Sequence, residues 1–392
     1  VRLLHTGDWH LGKRLYGQDR REEGRAALAQ VVETAARERV DATLVTGDLL
    51  DRRVVDPVAL RDCLEALEGL AATGPVLVVT GNHDDPALWE ALAPFLAPRG
   101  ITVRARVGGA AEAVVGVETA AGPLHAALLP WPTPRGMAAT VGTALEEARS
   151  TYAEVVGGLL ARYGERLAGL RRAQGGTTVL VGHLMVDGAL AGGGERELTL
   201  GMTYAVSPAA LPTDLDYVAL GHVHRPQPVP RVAVPARYAG SPIALDFSED
   251  THAKSVAVVE ADGQTTTVRE VPLTAGRPLV RLRGGLDDLA ALASGHGEAW
   301  FLCEVELDRP VLDLVRQVRE RVPDTLRVEP RYAQAAPAPG DAGAGERPGA
   351  APTLAERYEE WYALQGRALS PETAAAFARA VAEAERAAAE TA

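Results

Sequence analysis

Five short apolar runs in this chain each end in glycine followed by Asp, Asn or His, and no other feature constrains the fold as much. Three come early: "LLHTGDWH" ending at Asp8 with His10 two residues on, "TLVTGD" ending at Asp48, and "LVVTGNHD" ending at Asn82. Two come later with imidazole in place of oxygen: "VLVGH" at His183, and "VALGHVH" at His222 and His224. Runs this short and rich in Val, Leu and Thr read as strands, and the helical patterns between several of them predict βαβ layering. In such a sheet ligands gather beyond the carboxyl ends of the strands, so positions far apart in sequence can converge. Glycine before each ligand is expected to let the backbone turn sharply there.

The converging set contains carboxylate oxygens, one amide oxygen and several imidazole nitrogens. That mixture of hard and borderline donors suits Mn²⁺ or Fe²⁺, and suits Mg²⁺ or a thiolate zinc site less. Seven ligands (Asp8, His10, Asp48, Asn82, His183, His222 and His224) are more than one ion needs. Two ions about 3.5–4 Å apart and sharing a carboxylate would use them all, in the clamp that phosphoester hydrolysis employs. Asp48 is central in the order and is the expected bridge. His83, next to Asn82, is the candidate for steadying the transition state or protonating the leaving alkoxide. A carboxylate is expected to orient it, either Asp51 in "GDLLD" or the adjacent Asp84, with Asp51 preferred, and Arg52 could contact phosphate. His5, His125, His252 and His296 lack this context and read as structural.

With 392 residues the chain exceeds one typical core, so two or three domains are expected. Pro57 to Leu70 is helix-length, with Leu60, Cys63, Leu64 and Leu67 on one face and proline suited to the first turn. Residues 145 to 172 read as a second amphipathic helix. From about Pro226 short alternating runs (Arg237–Tyr238, Ser255–Val259, Thr265–Val271) suggest antiparallel strands completing a second sheet, and the first domain is expected to close near 271. Residues 277 to 331 give strand, helix, strand, helix, strand, a small α+β module. Residues 333 to 352 are almost wholly Ala, Pro and Gly and read as a flexible linker. The segment 353–392 carries two helical patterns, and Leu354, Tyr358, Trp361 and Tyr362 form an aromatic stripe that predicts a partner surface.

Cys63 and Cys303 lie far apart in apolar stretches, without metal or redox spacing, and read as buried free thiols. Val1 and Arg2 lead straight into a strand-like run and no stretch approaches a membrane span, so a cytoplasmic protein is expected. The formal charge of −12 argues against a general basic coat for nucleic acid, although a metal cluster or local arginines can still receive a phosphate, so net charge leaves the substrate open. Arg20, Arg21, Arg104, Arg106, Arg225 and Arg231 are candidates for such a track.

The motifs Asp-x-His, Gly-Asp-x-x-Asp, Gly-Asn-His-Asp, Gly-His and Gly-His-x-His resemble the calcineurin-like metallophosphoesterase superfamily. "HTGDWHLGK", "GDLLDR", "GNHDDP", "LGHVHRPQ" and "YAGSPIALDFSED" are similar in detail to its SbcD nuclease family. The resemblance implies an α/β, four-layer αββα sandwich with a small α+β capping domain and a C-terminal helical hairpin. It implies two Mn²⁺ per chain, with Fe or Mg possible, one held by Asp8, His10, Asp48 and His224 and the other by Asp48, Asn82, His183 and His222. It also implies 3′-to-5′ exonuclease activity on duplex DNA, endonuclease activity on single strands and hairpins, and an SbcC-type coiled-coil ATPase as partner. Two copies of the chain would pair through N-terminal helices such as Pro57 to Leu70. The module would cap the site and touch DNA, and the terminal helices would grip the ATPase. Relatives often carry a second active-site histidine in the loop after Asp48, where this chain has Asp51 and Arg52. Rival expectations from the same motifs are a phosphoprotein or cyclic-nucleotide phosphoesterase and a catalytically silent scaffold for the ATPase.

Overall fold

Leu3, Leu44, Leu77 and Val79 on one sheet and Leu124, Leu128, Val179 and Val181 on another interlock in a core with no solvent access, which makes the centre of the molecule a sheet-on-sheet sandwich. The computed structural model describes residues 1–142, 151–190, 204–249, 253–332, 358, 369–371 and 373–379. The first sheet has the order Thr266–Pro272, Ser255–Ala261, Arg2–Thr6, Ala42–Val45, Val76–Val79, Ile101–Arg104. Its last four strands are parallel. The second sheet has the order Gln227–Pro228, Ala236–Tyr238, Tyr217–Gly221, Thr177–His183, Gly122–Leu129, Val114–Thr119. Helices cover both outer faces. Arg21–Glu38, Pro57–Ala71 and Pro86–Leu96 pack on the first sheet, and Pro134–Val141 and Tyr152–Gln174 on the second. The result is the expected four-layer αββα sandwich.

Two of these helices begin with the same Asp-Pro device. Asp56 accepts the N–H of Val58 at 2.9 Å and Asp85 that of Ala87 at 3.1 Å, while Pro57 and Pro86 fill first-turn positions whose N–H would otherwise lack a partner. The second aspartate of "GNHDDP" is therefore a helix cap. Cys63 and Leu67 point into the core beneath the first sheet, while Leu60 and Leu64 are only half-buried there. Residues 143–150, the start of the expected helix from 145, lie outside the described residues.

One expectation is corrected. Ser255–Ala261 and Thr266–Pro272 do not complete the second sheet but extend the first, with Leu3 opposite Val259 and Leu4 opposite Val258 in antiparallel register. The pair covers the backbone edge of Arg2–Thr6 and makes the mostly exposed Thr266–Pro272 the outer strand. Alternation alone carries no information about which sheet an antiparallel pair joins.

Residues 1–333 form one compact unit and 334–392 a second. Within the first, Leu279–Gly285, Trp300–Leu307 and Thr325–Tyr332 make a three-stranded parallel sheet. Helices Leu289–Ala293 and Leu314–Arg321 close a small core around Leu289, Phe301, Cys303 and Val318. This module docks through Glu23, whose carboxylate accepts from Trp300 Nε1 at 2.9 Å and from the N–H of Arg277 at 2.6 Å while Arg20 holds it from the other side. In the second unit Tyr358 stacks on Phe377 with ring centroids 3.9 Å apart. Leu354, Trp361 and Tyr362, and the linker at 333–352, lie outside the described residues. Among the described residues no helix is long and apolar enough to cross a membrane.

Candidate metal centre

All seven predicted ligands lie at one edge of the sandwich, where strand ends of both sheets meet, and all are buried. The loops that carry them are laced together by main-chain hydrogen bonds. Asp8 N donates to Gly47 O at 2.9 Å, His10 N to Asp48 O at 2.9 Å, and Leu11 N to Leu49 O at 3.0 Å. Across to the second sheet, the N–H of His222 donates to Asp8 Oδ1 at 2.9 Å.

The sharp turn falls on the ligands more than on the glycines. Asp8, His10, Asp48 and His222 have φ of 49°, 45°, 49° and 101°, whereas among the preceding glycines only Gly47 has a positive φ, at 92°. A non-glycine residue held there costs on the order of 1–3 kcal/mol, and such strain gathers at functional sites. Glycine serves mainly for close approach. A Cβ on Gly47 would come within 2.6 Å of His183 Nδ1, and one on Gly81 would overlap the Asp48 carboxylate.

Two donor groups result, with Asp48 in both. Asp48, His183 and His222 offer ligand atoms within 4.8 Å of one another, as do His10, Asp48 and His83. Asn82 Oδ1 belongs with the first, 3.0 Å from both His183 Nε2 and His222 Nδ1. His224 joins the second, its Nε2 3.2 Å from His10 Nε2, and His10 Nε2 lies 3.5 Å from Asp48 Oδ2.

The electrostatics of this arrangement fit divalent cations. Burial pushes Asp8 up to about 6, and burial pushes His10 down to about 4 and His222 to about 3, so these imidazoles are neutral with nitrogen lone pairs available. Against its burial, Asp48 is held well below the usual carboxylate range by His183. Neither Asp8 nor Asp48 has a Lys or Arg ion pair among the described residues. Against its own burial, His183 is the one imidazole pushed the other way, up to about 9, by Asp48, so without metal a single imidazolium faces the buried carboxylates. A divalent ion would displace that proton and complete the neutralisation.

His83 is partly exposed beside His10, with ring centroids 4.7 Å apart, and its main-chain N–H donates to Asp48 Oδ1 at 2.8 Å. The expectation that a carboxylate orients its ring is corrected. His83 Nδ1 meets the main-chain carbonyl of Asp51 at 2.8 Å. The Asp51 carboxylate faces His10 Nδ1 at 3.4 Å and Lys13 at 3.5 Å instead. Asp84 is wholly buried and its carboxylate accepts the main-chain N–H groups of Gly81, Leu49 and Leu50. A strand-end loop packed this tightly has backbone carbonyls at hand, which residue spacing cannot reveal. Arg52 is largely exposed, 3.5 Å from Asp51.

Several residues went unpredicted. Trp131 lies over His222 with centroids 4.9 Å apart, and it follows Gly122–Leu129 at another strand end of the second sheet, so the strand-end rule without its glycine would have found it. Glu249 meets His224 Nδ1 at 3.0 Å, and Lys254 and Ser241 meet Glu249; no periodicity marks them. His183 Nδ1 is fixed by the carbonyl of Thr46 at 2.7 Å. Of the suggested arginine track, four members have structural partners. Arg20 is buried with Glu23 and Ala244 O, Arg21 pairs with Asp62, Arg104 with Glu112 O and Arg106 with Glu90. Arg225 and Arg231 make no ion pair among the described residues.

Comparison with known proteins agrees with this geometry. The profile described as "Calcineurin-like phosphoesterase" matches residues 1–226, and the one described as "Type 5 capsule protein repressor C-terminal domain" matches 275–360. The SbcD component of the nuclease SbcCD from Bacillus subtilis is 33% identical over 85% of this chain and 86% of its own length. The same component of the Escherichia coli K12 nuclease is 30% identical over 84% of each. "DNA double-strand break repair protein Mre11" of Aeropyrum pernix is 29% identical over 73% of this chain and 64% of its own. A metal-competent cluster at the strand ends of an αββα sandwich, with likeness along both modules of the first unit, places the chain in the calcineurin-like phosphoesterase family, in its SbcD branch.

Proposed function

We propose that the chain is a two-metal DNA phosphodiesterase with a preference for Mn²⁺, a 3′-to-5′ exonuclease on duplex ends and an endonuclease on single strands and hairpins. The observation that carries the two-metal part is Asp48, whose carboxylate borders both donor groups. Asp8, His10, Asp48 and His224 would hold one ion and Asp48, Asn82, His183 and His222 the other. Held by these residues, two divalent ions would supply hydroxide at neutral pH and neutralise charge on the phosphoryl oxygens. The remaining chemistry belongs to side chains of this chain. Asp51 O accepts a hydrogen bond from Nδ1–H of His83, which fixes the ring and leaves Nε2 for the reacting phosphate. A proton for the leaving oxygen would come from Nε2–H of the doubly protonated imidazole. Trp131 packs against the His183 and His222 rings and gives that side of the site an apolar face.

DNA as substrate rests on the relatives named SbcD and Mre11 and on the module after residue 277, which a small-substrate phosphatase has no need of. Of the arginine track Arg225 and Arg231 are left for phosphate, and the largely exposed Arg52 is a further candidate. The partner would be an SbcC-type coiled-coil ATPase gripped by the 353–392 segment, in the cytoplasm at the nucleoid. Pairing of two chains is supported by half-buried Leu60, Leu64, Leu88 and Leu92 on neighbouring helices, with Phe95 69% exposed nearby.

The test is an Mn²⁺-dependent plasmid-nicking assay with end-labelled duplexes and hairpins, run beside phosphopeptides and cyclic nucleotides. Turnover of the small substrates with intact DNA would reverse the assignment.

A further inference from the structure

We propose that Glu249 is a positioning residue for His224, holding the imidazole so that Nε2 faces His10 and the metal centre. The inference rests on the two-metal reading and extends it to a residue outside the ligand motifs. His224 has a contact on each side of its ring. Nδ1 lies 3.0 Å from Glu249 Oε1 and Nε2 lies 3.2 Å from His10 Nε2. A carboxylate on one nitrogen fixes the proton there and frees the lone pair of the other, and such partners set ring orientation and ligand basicity.

Glu249 is itself held from several directions. Its second oxygen accepts from Lys254 Nζ at 2.6 Å, from the N–H of Leu245 at 3.1 Å and from Ser241 Oγ at 3.4 Å. Lys254 also donates to the main-chain carbonyl of His224 at 3.0 Å, and the N–H of Ser241 donates to the same carbonyl at 3.1 Å. Ring and backbone of one ligand are thus fixed by a single buried group of three side chains. The turn that carries Glu249, Phe247–Glu249, is tied at its other end to the 277–332 module. Phe247 packs with Leu279 and Leu302, and Arg281 Nε donates to the carbonyl of Phe247 at 3.1 Å. The module therefore bears on the metal centre through two residues of chain.

The experiment is calorimetric titration of metal-free protein with Mn²⁺, with thermal unfolding of the same metal-free samples as control. The double variant Glu249→Gln/Lys254→Met removes the carboxylate without stranding the ammonium. One of two Mn²⁺ should bind about 10–100-fold more weakly, with unfolding unchanged. Glu249→Asp keeps the charge beside Lys254 while withdrawing the oxygen from Nδ1. It should move affinity in the same direction and serves if the double variant does not fold. In a His224→Ala background the Glu249 substitutions should have no further effect. Two Mn²⁺ bound at native affinity by a folded Glu249 variant overturn the inference, as does an equal further loss in the His224→Ala background. A wild-type stoichiometry of one overturns the two-metal reading and leaves Glu249 to be judged by whether that one affinity responds.

Discussion

Asp84 Oδ1 accepts the main-chain N–H of Leu50 at 3.1 Å, so a carboxylate next to His83 in sequence is spent on the loop that carries Asp48. Its other oxygen takes the N–H of Gly81 at 2.8 Å, and burial pushes the group up to about 7. Asp84→Ala would leave three buried N–H groups without an acceptor, each worth about 1–3 kcal/mol. Thermal unfolding in chelator should show a clear drop in midpoint, and Mn²⁺ affinity should fall with it as Asp48 loses its support. A normal midpoint with lost activity would instead return Asp84 to a catalytic role.

His83 is oriented by a main-chain carbonyl, and side-chain truncation at Asp51 does not remove that carbonyl. His83→Ala should lower nuclease turnover about 10²–10⁴-fold, the span of a positioned acid, with full Mn²⁺ content. Asp51→Ala should keep the shape of the pH–rate profile, with a smaller loss acting through His10 and Lys13. Single-turnover rates across pH 6–9 separate the two. A profile in Asp51→Ala that matches His83→Ala would show that the carboxylate, and not the carbonyl, governs the ring.

Glu23 joins the module to the sandwich and makes that junction sensitive to acid. Burial raises its pKa, but the Arg20 guanidinium, Trp300 Nε1 and the N–H of Arg277 outweigh burial and bring it below its ordinary value. A depressed carboxylate stabilises the fold fully above the unfolded value, about 4.5, and loses that contribution as pH falls through the lower folded value. Glu23→Gln should therefore cost about 1.5–3 kcal/mol at pH 7, the range for hydrogen bonds to a charged group. The difference from wild type should shrink below about pH 4. Hydrogen exchange should quicken along Leu279–Gly285 in the variant. A stability difference that grows on acidification would contradict the sign.

Asp8, Asp48, Asn82, His183 and His222 were legible in the sequence because each ends an apolar run, and strand ends converge whichever sheet they belong to. His10 and His224 followed from their spacing to those ends. Assignment of the 255–272 strands to the first sheet was not legible, since antiparallel alternation looks the same at either edge. Nor was the ring partner of His83, because a backbone carbonyl has no residue identity. Glu249 and Lys254 escaped for another reason. They act on the centre through His224, and their contacts are made by a turn whose path depends on the module beyond it. His5 read as structural, and it sits between the sheets with Nδ1 2.9 Å from the Tyr217 hydroxyl and Nε2 3.2 Å from Leu220 O.

Asp48 is the residue on which the two-metal reading turns, because its Oδ2 lies 3.5 Å from His10 Nε2 and 3.4 Å from His183 Nε2. Removing a ligand that serves one ion should leave the other in place, whereas removing a shared one should weaken both. Asn82→Ala and His183→Ala are therefore expected to retain about one Mn²⁺ per chain after equilibration, and Asp48→Ala to retain less than one. All three should lose at least about 10²–10³-fold in DNA cleavage, the scale for deleting one group that stabilises transition-state charge. Metal analysis by mass spectrometry, with exchange-coupled Mn²⁺ pairs read by electron paramagnetic resonance, distinguishes these cases. Two ions retained in Asp48→Ala would mean that the donor groups are independent, and the shared position would have to be reassigned to another oxygen.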